Sequence, residues 1–102
     1  MLIVRSRAGV PIRLTGERWR HIAQRHPEMA GQRDRVLETL TEPDMIQEGD
    51  FGEFLASRFY KETPLTSKHL VVAYQEVNPD DGFIVTAYLT RRPSTRRRIL
   101  WT

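Results

Sequence analysis

The chain has 102 residues, 39% of them hydrophobic and 28% charged, with a formal net charge of +3 and no cysteine. That length fits one domain over residues 1–102, with a modest core that removes about 65% of the unfolded chain's surface from water. The missing cysteines exclude a disulfide framework and a thiolate metal site and favour a reducing cytoplasm; the apolar runs at residues 1–4 and 70–74 are too short for a signal peptide or a membrane span.

Residues 2–7 and 10–14 alternate as two short strands, with Ala8-Gly9 as their turn. Thr15 is a good N-cap, although Arg18 occupies the position where a capping box would carry Glu. A helix is expected from there to Arg25, with Trp19, Ile22, Ala23 and His26 on one face. Pro27 ends it, because the residue before a proline avoids the helical region. A second helix is expected over residues 32–41, with Val36, Leu37 and Leu40 inward and Pro43 as its stop.

The pattern then changes to period two. Residues 45–48, 53–61, 68–77 and 83–90 read as four strands, and the last two pair as a hairpin through the loop 78–82. In the second of these, Phe54, Ala56, Arg58 and Tyr60 share one face, and Leu55, Ser57, Phe59 and Lys61 the other. In the fourth, Phe83, Val85, Ala87 and Leu89 are expected in the core, with Thr86, Tyr88 and Thr90 facing away. Residues 91–97 are basic and irregular, and 98–101 suit a short edge strand. Helices grouped apart from strands give an α+β domain with an antiparallel sheet.

The net charge hides an asymmetry. Residues 1–26 carry six arginines against Glu17, residues 86–102 carry five arginines and no acid, and residues 27–85 carry five basic side chains against twelve acidic ones. Arginine supplies 14 of the 16 basic side chains. Its planar fork pairs with phosphate and stacks on bases, so the two ends point to an anionic partner, RNA first. A solvated, solubility-tuned surface carries the same composition.

His21 and His26 stand five residues apart, about 140° around a helix, which suits no shared metal. His26 lies on the apolar stripe at a helix C-terminus. That position suits a general acid or base, and equally a histidine buried against a backbone carbonyl. His21 lies on the polar side, where a solvated histidine is the ordinary outcome. Arg25 beside His26 could hold a phosphate. Tyr74 and Tyr88 suit base stacking, and Thr86 and Tyr88 equally suit a solvated sheet face. No P-loop, dinucleotide fingerprint or serine-hydrolase elbow is present. His, Arg, Tyr and Thr remain, the types needed to cleave RNA through its own 2′-hydroxyl without a cofactor or metal.

The segment Arg18-Trp19-Arg20-His21-Ile22-Ala23-Gln24-Arg25-His26-Pro27-Glu28-Met29, followed by Val36–Leu40, Glu42-Pro43-Asp44, Leu70-Val71-Val72 and Phe83–Tyr88, resembles the small phage- and toxin-associated domains of the barnase–EndoU–colicin–RelE-like nuclease superfamily. The resemblance covers roughly residues 14–101 in order and spacing. It implies two N-terminal helices on a four-stranded antiparallel sheet behind a short hairpin. It also implies metal-independent endoribonuclease activity, as a toxin paired with an acidic antitoxin or as a phage effector. It maps the catalytic positions to His26 or His21, to Arg58 and Tyr60, and to Thr86 and Tyr88. Arg25, Lys61, Tyr74, Arg91 and Arg92 are the expected substrate-binding residues. Two other readings fit the same residues: a non-catalytic RNA- or DNA-binding module, and a protein-interaction domain.

Overall fold

The computed structural model describes residues 1–102. Thr15 caps the first helix as its chemistry predicts, accepting a hydrogen bond from the Arg18 N–H at 3.0 Å. Helix α1 runs Gly16–Arg25, with Ile22 fully buried. His26 closes it, its N–H donating to the Ile22 carbonyl at 2.8 Å. The chain then makes one tight 3-10 turn, Pro27–Met29, which buries Met29. Helix α2 runs Arg33–Thr41 and buries Val36, Thr39 and Leu40. Each fully buried aliphatic side chain here stabilises the fold by about 1.5–3 kcal/mol.

The strands are β1 Leu2–Arg5, β2 Pro11–Leu14, β3 Met45–Glu48, β4 Phe54–Tyr60, β5 Lys68–Asn78, β6 Asp81–Thr90 and β7 Ile99–Trp101. All seven join one sheet in the order β1-β2-β6-β5-β4-β3-β7. The expected four-stranded antiparallel sheet is therefore corrected to a seven-stranded mixed one. The N-terminal hairpin does not stand apart: β2 runs parallel to β6, pairing Ile12 with Gly82 and Arg13 with Phe83. At the opposite edge β7 pairs with β3. Both additions give partners to backbone groups that a four-stranded sheet would leave open at its edges.

Two contacts make the parallel join possible. Gly82 lets β2 approach, since a Cβ there would lie 2.4 Å from the Gln75 carbonyl oxygen and 2.5 Å from Ile12 Cδ1. Arg13 grips Asp81 through two bonds of 2.9 and 3.1 Å, which hold the Asp81 carboxyl below its usual range.

One sheet face packs on the helices. Ile12, Leu14, Ile46, Ala56, Leu70, Val72, Tyr74, Ile84 and Ala87 form a single core with Ile22, Met29, Val36 and Leu40. Val4 from the first strand and Trp101 from the last both pack on this core. Arg7, in the turn after β1, places its guanidinium 4.3 Å from the centre of the Trp101 ring. Five strand spacings separate β2 from β7, about 24 Å in a flat sheet. The sheet must therefore curl around the helix-side core.

The alternation expected in β6 holds from Thr86 to Thr90 and fails below. A register shift pairs Ala73 with Thr86 but Tyr74 with Ile84, leaving Val85 as an extra residue. Ile84 takes the core position, while Phe83 stays 36% exposed and Val85 packs with Leu55, Val71 and Ala73 on the outer face.

Candidate functional site

The outer face is crossed by the arginine-rich segment. β6 and β7 are separated by β5, β4 and β3, so residues 91–98 must span three strands. Gln47 Nε2 donates to the Ser94 carbonyl at 2.7 Å, and the Glu48 N–H donates to the Arg98 carbonyl at 2.9 Å. Arg97 grips Asp50 through two bonds of 2.8 and 3.3 Å, which raise its already high pKa. The segment is thus a strap, tied to β3 and to the β3–β4 turn.

Between strap and sheet lies a cavity of about 290 Å³, lined by Gln47, Leu55, Val71, Tyr88, Thr90, Arg92, Pro93, Ser94 and Arg97. Its floor is apolar and its rim carries two guanidinium groups. Burial pushes the Tyr88 hydroxyl pKa up, Arg97 opposes that rise, and Glu53 adds to it. Tyr88 is therefore a phenol at neutral pH, able to donate a hydrogen bond to an anion in the cavity.

His26 reaches the same tyrosine. It leaves the end of α1 beside β6, with its ring centre 5.9 Å from that of Tyr88. Its side chain is 32% exposed, which leaves it open to a ligand. Glu28 Oε1 stands 3.4 Å from His26 Nδ1. The tight turn that begins at Pro27 makes this possible by bringing the second residue after His26 back beside the ring. A carboxylate on the Nδ1 side orients the imidazole and leaves Nε2 to take a proton. The arrangement is a histidine backed by a carboxylate and next to a phenol, and that phenol lines a cavity with two arginines. No three His, Asp or Glu side chains gather into a set that could hold a metal ion.

The sequence-expected residues divide. His26 stands beside Tyr88, and Tyr88 shares its cavity with Arg92. Thr86 shares the outer face, pairing across with Ala73. Arg25 is exposed at the end of α1, one residue before His26, and Arg91 is exposed at the start of the strap. The others fall elsewhere. His21 lies exposed beside Thr15, Glu17 and Arg18. Lys61 is exposed just past the end of β4.

Arg58 and Tyr60 face α2 on the opposite side of the sheet. Arg58 donates to the Glu42 carbonyl at 2.7 Å, and the Tyr60 hydroxyl donates to Glu38 Oε1 at 2.7 Å. They fasten β4 to the helix and do not meet His26. Tyr74 is 2% exposed, with its ring 5.4 Å from that of Phe54, so it offers no face to a base. Sequence reasoning missed the roles of Glu28, Glu53 and Arg97. Glu28 was visible two residues after His26, whereas Arg97 could not be told from Arg96 and Arg98 without the path of the strap.

Comparison with protein-family models, with curated proteins and with solved structures finds no match to this chain. No helix is long and apolar enough to cross a membrane.

Proposed function

We propose that the protein is a metal-independent endoribonuclease that cleaves RNA by attack of a 2′-hydroxyl on the adjacent phosphate. The observation that carries this reading is the approach of His26, backed by Glu28 at 3.4 Å, to Tyr88 at the rim of the arginine-lined cavity. The resemblance of the His21–His26 helix and the Thr86–Tyr88 strand to the barnase–EndoU–colicin–RelE-like nucleases supports it, as does the basic composition.

In this mechanism His26 Nε2 takes the proton of the 2′-hydroxyl, and the 2′-oxygen bonds to phosphorus. The bond from phosphorus to the 5′-oxygen breaks. Tyr88, held protonated by burial, gives its proton to that leaving oxygen. Arg92 and Arg97 neutralise the non-bridging oxygens as charge builds on them. The products are a 2′,3′-cyclic phosphate and a 5′-hydroxyl. The cytoplasm, where RNA is abundant and thiol-free chains need no oxidation, is the compartment this reading calls for, and an acidic antitoxin is the partner it would pair with.

The test is incubation of purified protein with total RNA and with tRNA in EDTA, beside His26→Ala. The expected result is cleavage to 2′,3′-cyclic or 3′-phosphate ends, slowed about 10²- to 10⁴-fold in the variant, which keeps its fold. Equal retardation of RNA by both proteins, with no cleavage by either, would instead identify a non-catalytic binding module.

A further inference from the structure

Three residues on the outer face of β4 differ sharply in exposure. Leu55 and Ser57 are 7% and 2% exposed, but Phe59, next on the same face, is 48% exposed. It is not isolated. Phe59 pairs in register with His69, which pairs in turn with Thr90, so the three form one row across β4, β5 and β6. The His69 ring stands edge-on to Phe59, with centres 5.2 Å apart and planes at 61°. His69 Nδ1 lies 3.2 Å from the Arg91 carbonyl oxygen, which fixes the imidazole between the strap and the Phe59 ring.

The row adjoins the candidate centre. Tyr88 precedes Thr90 by two residues on the same face of β6. Two strand spacings and a two-residue step put Phe59 about 12 Å from Tyr88 along the sheet. Arg91, through its carbonyl, touches His69, while Arg92 lines the Tyr88 cavity. The strap thus meets the aromatic pair at the Arg91 backbone and the Tyr88 cavity at the next residue, Arg92. Lys61 follows Phe59 by two residues and is exposed. The carboxylate nearby, Asp44, is engaged by the Phe59 N–H at 2.8 Å. A flat exposed ring, a second ring bracing it and a cationic path leading away are the parts of a single-strand binding surface.

We infer that Phe59, braced by His69, is a stacking platform for a nucleobase of single-stranded RNA whose backbone crosses Arg91 and Arg92 to the His26–Tyr88 centre, an inference that rests on the ribonuclease reading for the identity of its ligand. A duplex cannot use the platform, because its bases are stacked on one another.

The experiment uses a short single-stranded 2′-O-methyl oligonucleotide carrying 2-aminopurine, which cannot be cleaved and whose fluorescence falls when the base stacks. It is titrated into wild type, Phe59→Ala, Phe59→Leu and Phe59→Trp. Circular dichroism confirms that each variant is folded. Wild type and Phe59→Trp are expected to quench the probe. Phe59→Ala should raise the Kd about 5- to 150-fold and abolish the quench. Phe59→Leu, which keeps bulk without a ring, should behave as Phe59→Ala does. Absence of binding by wild type, or equal affinity and quench in wild type and the folded alanine and leucine variants, overturns the platform. If wild type leaves natural RNA intact but quenches the probe in a Phe59-dependent way, the platform stands and the nuclease reading alone falls.

Discussion

Replacing Tyr60 by Phe removes one oxygen and leaves the ring in place against α2. That oxygen donates to Glu38 Oε1 at 2.7 Å and lies 3.2 Å from Thr39 Oγ1 and 3.3 Å from the Arg35 carbonyl oxygen. None of these partners is orphaned by the change. Thr39 Oγ1 still donates to the Arg35 carbonyl at 2.7 Å, and Glu38, 48% exposed, turns to water. The expected cost is thus one net hydrogen bond, about 1 kcal/mol, which lowers Tm by about 4–8 °C in a domain of this size. Burial also pushes the Tyr60 pKa up to about 12. The folded state then holds the phenolic proton longer than the unfolded state, whose tyrosine titrates near 10. This contribution is fully present below pH about 10 and is lost as pH rises from there to about 12. Discounted for partial exposure, the loss amounts to about 1–2 kcal/mol. Urea denaturation of both proteins at pH about 8 and about 11.5 measures it: the gap between wild type and Tyr60→Phe should shrink at the higher pH. RNA cleavage by Tyr60→Phe, measured below its lowered Tm, should match wild type. An unchanged Tm together with a large loss of cleavage would return Tyr60 to the chemistry and refute the placement argued here.

Gly82→Ala drives a Cβ into the Gln75 carbonyl and the Ile12 side chain; it should destabilise by about 1–3 kcal/mol, with amide exchange accelerated first in β2, and equal protection there would refute the close approach. Ile22→Ala empties a fully buried position under α1 and should cost about 2–5 kcal/mol in chemical denaturation. Among the arginines, Arg92→Ala should lower the slope of log affinity against log salt for single-stranded RNA by about 0.7, whereas Arg5→Ala should leave it unchanged, as read by fluorescence anisotropy across a salt series.

Local chemistry was legible wherever one residue decides one feature. Thr15 as cap, Pro27 as stop, and the alternation of Phe54, Ala56, Arg58 and Tyr60 against Leu55, Ser57 and Phe59 all follow from nearest-neighbour physics. What stayed hidden depends on contacts between distant segments. The parallel join of β2 to β6 hinges on Gly82, which in sequence reads only as the end of a turn. The bulge at Val85 turns Phe83 outward and Ile84 inward, although both are equally apolar. The same limit applies to the site. Alternation grouped Tyr60 with Phe54, Ala56 and Arg58 on one face of β4 and Tyr88 with Thr86 on one face of β6, yet it could not say that Arg58 and Tyr60 lie under α2 while Tyr88 and Thr86 lie on the open side.

The arginines show how far composition alone can mislead about a binding surface. The two ends of the chain are equally basic, but their side chains are employed differently. Arg5 donates to the Gly9 carbonyl at 2.8 Å, Arg7 stacks on Trp101, and Arg13 is locked to Asp81. Each of these closes the hairpin or joins it to the rest of the sheet, so their charge is already matched to folded partners. On the strap, Arg92 lines the Tyr88 cavity and Arg91 engages His69 only through its carbonyl, leaving both guanidinium groups to solvent. Arg97 is intermediate: it lines the cavity but is gripped by Asp50, which is itself 69% exposed. The exposed guanidinium groups of the outer face therefore include those of Arg91 and Arg92, and Arg92 lines the same cavity as Tyr88. Arg5, Arg7 and Arg13 act on the fold, whereas the Arg91 and Arg92 side chains are free to act on a ligand.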